Sequence, residues 1–234
     1  MYHSITIGDK NTWDDWHLIP ATRPLFNPPP VKTNYIEIPG GDGVLDLSTS
    51  LTGRPTYGNR TGSWEFYVEN DFKDWSELYS EIMVYLHGQS FHAILEDDPA
   101  YYYEGRFSVN QWKSDKNWSR IVIDYNVGPY KRDVNGSGER WLWDPFNFET
   151  GIIRSYRNLV VAGTLTVEVV GDMLEVTPVI TSTVNGIKVT FEDKTYTLTR
   201  GTNEFKNLVI HPGINELVFT GNGKISIQVV GGRL

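Results

Sequence analysis

The sequence contains no cysteine. That absence removes disulfides, thiolate nucleophiles and cysteine-based zinc sites together, and it fits folding in a reducing cytosol. No apolar run approaches the roughly 18 residues that cross a membrane. The opening stretch MYHSITIGDKNTW lacks the basic region and apolar run of a secretory signal, so none is expected. Positive charge is also short: 21 Lys and Arg stand against 29 Asp and Glu, for a net charge of −8. A nucleic-acid binder would need a basic footprint, so stable nucleic-acid binding is not expected. The short catalytic and phosphate-binding signatures are missing too. There is no G-x-S-x-G, no H-E-x-x-H, no D-x-D-x-D-G loop with a closing Glu and no G-x-x-x-x-G-K-[ST].

Aromatic residues, by contrast, are abundant. They make up 13% of the chain and include eight Trp and thirteen Tyr, a surplus that serves cores and interfaces alike. The acidic excess is uneven. Residues 1–130 hold 18 Asp/Glu and 10 Lys/Arg, whereas residues 131–234 hold 11 of each.

Most of the chain reads as strand, with Val, Ile, Thr, Tyr and Trp alternating with polar residues between turn-formers. The clearest segments are 63–69, 103–112, 120–127, 164–170, 187–193, 195–199, 215–219 and 224–230. Turn signals recur through the second half at Asn185-Gly186, Glu192-Asp193, Gly201-Thr202, Pro212-Gly213 and Asn222-Gly223, a spacing expected of a β-sandwich or barrel. One helix interrupts the pattern over 71–88. There Phe72, Trp75, Leu78, Tyr79, Ile82 and Leu86 form one stripe. Asp71 is the expected N-cap, and Gly88 is placed to end the last turn.

Residues 20–34, PATRPLFNPPPVKTN, cannot form helix or central strand, because their prolines fix φ and remove donors. They read as a semi-rigid arm, with Leu25, Phe26, Pro28, Pro29 and Pro30 as interface candidates. A boundary is expected near 128–150, where GPYKRDVNGSGE shifts to turn-formers and charge. Beside it lies ERWLWDPFNFETGI (139–152). Trp141 and Trp143 sit two apart, as do Phe146 and Phe148, with Asp144-Pro145 bending the chain between the pairs. The stretch reads as an inter-domain staple, with a partner-docking spot or a ligand site as the alternatives.

Candidate chemistry is thin. Glu96, Asp97, Asp98 and Glu104 are the only carboxylate group that invites a hydrolase reading, but Asp97-Asp98-Pro99 is also ordinary strand-ending turn chemistry. His3, His17, His87, His92 and His211 form no metal-ligand spacing. The Gly-rich pieces IPGGDGVLDLS (38–48) and TGNGKIS (220–226) lead into strands, so both read as turns rather than phosphate cradles. No catalytic residue, metal or cofactor is expected.

An ordered set of segments carries a resemblance. VKTNYIEIPGGDGVLDLSTSLTG (31–53), YGNR (57–60), YLHG (85–88), LEDDPAYYYEGRFSV (95–109), PYK (129–131), WLWDPFNFETG (141–151) and HPGINELVFTGNGKISIQVVGGRL (211–234) together resemble the distal tail protein (Dit) family. These are tail-tip hubs of long-tailed, non-contractile phages and prophages of Gram-positive bacteria. The resemblance implies a mainly β fold. Residues 1–132 would form a β-sandwich or barrel-like ring domain with one helix, about 71–87, and the arm of 20–34. Residues 133–150 would be an aromatic linker, and 151–234 a galectin-like β-sandwich. It further implies a non-catalytic virion protein, assembled in the bacterial cytoplasm and resident at the tail tip. Its partners would be five further copies in a hexameric ring, the tail tube protein and the tail-associated, fibre or receptor-binding proteins. DNA would pass through without being held, and no membrane partner is implied. The acidic first half suits such a lumen. The alternative is a carbohydrate-binding module of a phage tail that contacts host cell-wall saccharide. It is poorly supplied, since residues 160–234 contain no Trp and Tyr196 is their only Tyr.

Overall fold

The structure is a computed structural model that describes residues 2–68, 74–114, 119–134 and 156–234. The fold is mainly β, with curled antiparallel sheets of the sandwich or barrel-like kind and a single α-helix among the described residues. Two compact units divide the chain: residues 1–98 with 102–131 and 234, and residues 99–101 with 132–233.

The first unit is organised by one sheet. Its strands run in the order Lys10–Asn11, Ile5–Ile7, Ser90–Leu95, Tyr101–Ser114, Ser119–Val127, Arg60–Val68 and Leu18–Pro20. Alternation decides which face is buried. Trp64, Phe66 and Val68 line up with Ile121, Ile123, Tyr125 and Val127 on the inner face, and the residues between them are partly or fully exposed. The helix, Trp75–Leu86, lays Leu78, Ile82 and Leu86 into that core, one helical turn apart. Its N-cap is Asp74 rather than the expected Asp71, which lies outside the described residues, as does Phe72. Asp74 Oδ1 accepts from the N–H groups of Ser76 (3.0 Å) and Glu77 (3.3 Å). Gly88 ends the helix with φ +75° and donates to Phe107 O at 2.8 Å, so the exit is stitched to a central strand. A bulge between Val109 and Gln111 shifts the register by one residue. It turns Trp112 toward the helix start, where its ring lies 4.7 Å from Tyr79 and 6.0 Å from Trp75.

The second unit is built on one long antiparallel pair, Leu159–Gly171 with Gly213–Gln228. The 213–228 strand first borders Lys188–Phe191 and then Val179–Ser182. It thus serves two parts of a sheet that curls around a shared core of Val161, Val169, Ile180, Val189, Phe219 and Ile227. The crease is where Gly163 (φ +81°) pairs with Gly221 (φ +134°). This corrects the reading of TGNGKIS as a turn. The chain continues through Asn222-Gly223 as strand, and 215–219 and 224–230 belong to one element that runs to Gln228. Positive-φ chemistry here bends a sheet rather than reversing a chain. Gly201-Thr202 and Pro212-Gly213 likewise open strands.

Two buried asparagines perform the same task at these openings. Asn203 Oδ1 accepts from Thr199 N at 2.8 Å, while its Nδ2 donates to Thr199 O, Gly201 O and Ile180 O. Asn215 Oδ1 accepts from His211 N at 2.9 Å, and its Nδ2 donates to His211 O, Gly213 O and Val169 O. The matching sequences are TRGTNEF and HPGINEL. Each side chain bonds the backbone of the residue four positions before it at both N–H and C=O, and adds a bond to a carbonyl of the neighbouring strand. Replacing Asn203 or Asn215 by Ala is expected to cost roughly 2–3 kcal/mol, from buried carbonyls and an N–H left without partners. Urea unfolding of each variant, followed by a probe in the second unit, measures it.

Candidate functional site: a tethered arm

The Pro-rich segment is where sequence chemistry and structure meet most closely. Pro24 and the Pro28–Pro30 run bracket Leu25, Phe26 and Asn27, so this piece cannot join a sheet ladder on its own terms. The first unit supplies the missing partners from side chains. Trp64 Nε1 donates to Leu25 O at 2.9 Å. Asn27 N donates to Tyr125 Oη at 2.9 Å, and Asn27 Nδ2 donates to Thr61 O at 2.8 Å. The Arg60 guanidinium donates to Asn27 O at 2.9 Å and to Pro129 O at 2.8 Å. It lies over the Tyr103 ring, 5.5 Å from the centroid.

Between these bonds, Phe26 enters an aromatic socket. Its ring centroid lies 4.0 Å from Tyr103, 4.8 Å from Trp64 and 4.9 Å from Tyr125, the last two edge-on. The fit needs a glycine: a Cβ on Gly62 would sit 2.4 Å from Tyr125 Oη and 2.6 Å from Asn27 Nδ2. Burial pulls the Arg60 pKa down from its ordinary value, but that value starts so high that the group remains a cation. Burial also pushes the phenols of Tyr103 and Tyr125 up, so both stay neutral hydrogen-bonding groups.

A second tether sits just before the socket. Arg23 Nε donates to Asp97 Oδ2 at 2.8 Å, and His3 Nδ1 lies 2.9 Å from the same oxygen. The Arg23 hydrogen bond, helped by His3, holds the Asp97 carboxyl below the usual carboxylate range. Asp98 is taken separately by Lys131 Nζ at 2.6 Å, and Glu96 Oε2 accepts from Ser4 N at 2.8 Å. Three of the four carboxylates that invited a hydrolase reading, Glu96, Asp97 and Asp98, are therefore structural ties at a turn, while Glu104 lies within the strand Tyr101–Ser114.

Beyond the socket the chain leaves the sheet as a kinked hairpin. Val31–Lys32 pairs with Thr56–Tyr57, and Tyr35–Glu37 pairs with Val44–Asp46. Its apolar side chains have no core to enter. Val31, Tyr35, Ile36, Ile38, Val44 and Leu45 are each about half exposed, and Leu51 is 100% exposed. Sequence reading placed the arm at residues 20–34 and missed this hairpin, which carries it on through residues 31–57. Its sign is legible afterwards: in YIEIPGGDGVLDL apolar residues fall on both parities within a few residues, which suits no half-buried strand.

The expected interface residues separate accordingly. Phe26 is buried in the core of its own unit and anchors the arm, so it is no contact surface. Leu25, Pro28 and Pro30 are exposed, and Pro29 is partly so. Trp141, Trp143, Phe146 and Phe148 lie outside the described residues. Among the described residues there is no cluster of His and carboxylates suited to a metal ion, and no helix is long and apolar enough to cross a membrane.

Phe26→Ala is expected to destabilise the first unit by about 3–5 kcal/mol, and to raise hydrogen exchange across residues 25–37 more than elsewhere. Mass-spectrometric exchange on the full chain reads both effects. Because the Asp97 pKa is lowered on folding, its contribution to stability is present above the ordinary aspartate pKa, about 3.9, and is lost as pH falls through the lowered value. Asp97→Asn should therefore lower the melting temperature at pH 7, and the difference from the unaltered chain should shrink as pH falls below about 3.9. Thermal melts across that range check the sign.

No protein-family model matches the chain, and no curated protein matches it in sequence. Among solved structures the chain is similar to the crystal structure of SPP1 Dit, presented there as a paradigm of the hub adsorption apparatus in Gram-positive infecting phages. The TM-score is 0.61 at 11% identity, over 100% of both chains. At that identity the likeness establishes a shared Dit-like fold.

Proposed function

We propose that this chain is a structural hub of a phage tail tip. In this reading it forms a hexameric ring that joins the tail tube to tail-associated and receptor-binding proteins and lets DNA pass. The observation that carries the reading is the end-to-end fold likeness to SPP1 Dit, with neither chain leaving a part unmatched. A hub needs self-association more than it needs a pocket, and the arm supplies a means. It exposes apolar side chains in a row, and it is tied at its root by bonds that restrict its direction before any partner arrives. Restricting a contact element beforehand lowers the entropy cost of association. An arm on one side of a subunit that meets a different surface on the next is a heterologous contact, and such contacts close into rings when the rotation permits.

The remaining features accord with passage rather than catalysis. The acidic excess of residues 1–130 belongs on a lumen wall that repels phosphate, since about ten phosphate contacts on a basic wall would hold DNA too firmly. The galectin-like second unit takes the role of positioning outer partners, and the stretch 139–152 that of an inter-domain staple.

Light scattering coupled to size-exclusion chromatography tests the reading. The full chain is expected to give a mass of six copies, or of paired rings, at micromolar concentration. A single-copy mass across the whole concentration range contradicts it.

A further inference from the structure

The outward face of the first unit's sheet carries a polar basin. It is an open cavity of about 530 Å³, with Ser63, Arg106, Ser108, Asp124 and Asn126 in its lining. Strand register lays these residues out in two rows. Ser108 faces Asp124, which in turn faces Ser63, and in the next row Arg106 faces Asn126. All of them have the parity opposite to Trp64, Phe107 and Tyr125, which enter the core.

The charged groups of the basin are kept apart. Arg106 Nη1 donates to Gly88 O at 2.8 Å. Gly88 is itself fixed, its N–H donating to Phe107 O at 2.8 Å. The guanidinium is therefore held by the helix exit and not by Asp124, its diagonal neighbour across the sheet. Among the described residues, no donor meets the half-buried Asp124 carboxylate, and the hydroxyls of Ser63 and Ser108 make no hydrogen bond. Asn59 Nδ2 donates to Asn126 Oδ1 at 2.8 Å, which leaves Asn126 Nδ2 as a donor. The basin thus offers a carboxylate acceptor, guanidinium and amide donors, and hydroxyls that serve as either. One positive and one negative group cancel. The occupant that suits them is uncharged and carries donors and acceptors on neighbouring atoms, the pattern of adjacent hydroxyls on a sugar ring.

An aromatic pair lies farther along the same face. Glu104 and Tyr102 share the parity of Arg106 on its strand, and His92 faces Glu104. The His92 side chain is 57% exposed, and its ring stacks on Tyr102 at 4.3 Å with 30° between the planes. Tyr102 lies about 13 Å from Arg106 along the strand, a reach that suits a chain of sugars better than one ring. Sugar rings present a face of C–H groups, and an aromatic ring with a polar tip receives such a face. We propose that this face of the first unit binds a neutral saccharide chain. One sugar sits in the basin with its hydroxyls on Asp124 and Arg106, and a later sugar rests against His92. The Arg106 anchor and the sheet ladder hold the polar groups in place before the ligand arrives, which lowers the cost of binding.

Saturation-transfer NMR on the full chain tests it. The probes are oligosaccharides of glucose, galactose, rhamnose and N-acetylglucosamine, their methyl monosaccharides, and glycerol phosphate as the anionic comparison. A neutral oligosaccharide is expected to bind with a Kd of about 1 mM or tighter. Asp124→Ala is expected to weaken it about 10-fold or more, as for a lost hydrogen bond to a charged group. Its melting temperature should match that of the unaltered chain, because this carboxylate ties no part of the fold. His92→Ala is expected to weaken the oligosaccharide about 3-fold or more, and the methyl monosaccharide by less. Silence from every neutral probe at about ten times the expected Kd overturns the proposal. Binding that Asp124→Ala leaves intact overturns it too, since the sugar then sits elsewhere. Glycerol phosphate held more tightly than any neutral probe overturns the assignment of an uncharged ligand. An oligosaccharide held no better than its single ring overturns the His92 contact. None of these readouts depends on the number of copies in the particle, so a negative result leaves the hub reading standing.

Discussion

The capture of Leu25–Asn27 by the first unit is the constraint on which the rest of that unit's outward architecture depends. Prolines on both sides deny this segment a ladder, and a buried backbone without partners is costly. The unit answers with Trp64, Tyr125, Arg60 and Thr61 O, each aimed at a specific backbone or amide group, while Phe26 fills the space between Trp64, Tyr103 and Tyr125. Arg60 is the costliest member, a guanidinium that is 5% exposed and bonded to carbonyls rather than to a carboxylate. Delocalised charge, weak hydration and a ring beneath make arginine the cation best able to accept that setting.

From this root the arm leaves in a set direction. Its far end carries apolar side chains outward, where a lone subunit leaves them uncovered. The helix, meanwhile, turns one face into the core through Leu78, Ile82 and Leu86 and offers Val84 on the other. Both surfaces belong to the first unit and both are exposed. The second unit follows a separate logic. One long strand pair, bent at Gly163 and Gly221 and closed by Asn203 and Asn215, holds it.

The sequence made different parts legible to different degrees, for physical reasons. The helix was readable because a stripe repeating every three to four residues has no other use. Its start was not, because Asp71 and Asp74 carry the same capping chemistry one turn apart. The strands flanking the core were readable from alternation. The crease at TGNGKIS was misread because a positive-φ glycine serves a hairpin turn and a bent strand equally well. What decides between them is the pairing with Leu159–Gly171, tens of residues away in the sequence. Phe26 shows the same limit at the candidate site. Its proline neighbours announced an extended segment, but the socket that buries it is assembled from Trp64, Tyr103 and Tyr125 on three separate strands. Local chemistry predicts conformation, whereas destination depends on what the sheet brings together.

The central claim is that this chain builds a ring from an arm held rigid at its root. Negative-stain electron microscopy of the purified full-length protein tests it most directly. The account predicts ring-shaped particles with a central hole and six-fold averages. Fields of single, hole-free particles at concentrations up to the micromolar range would contradict it.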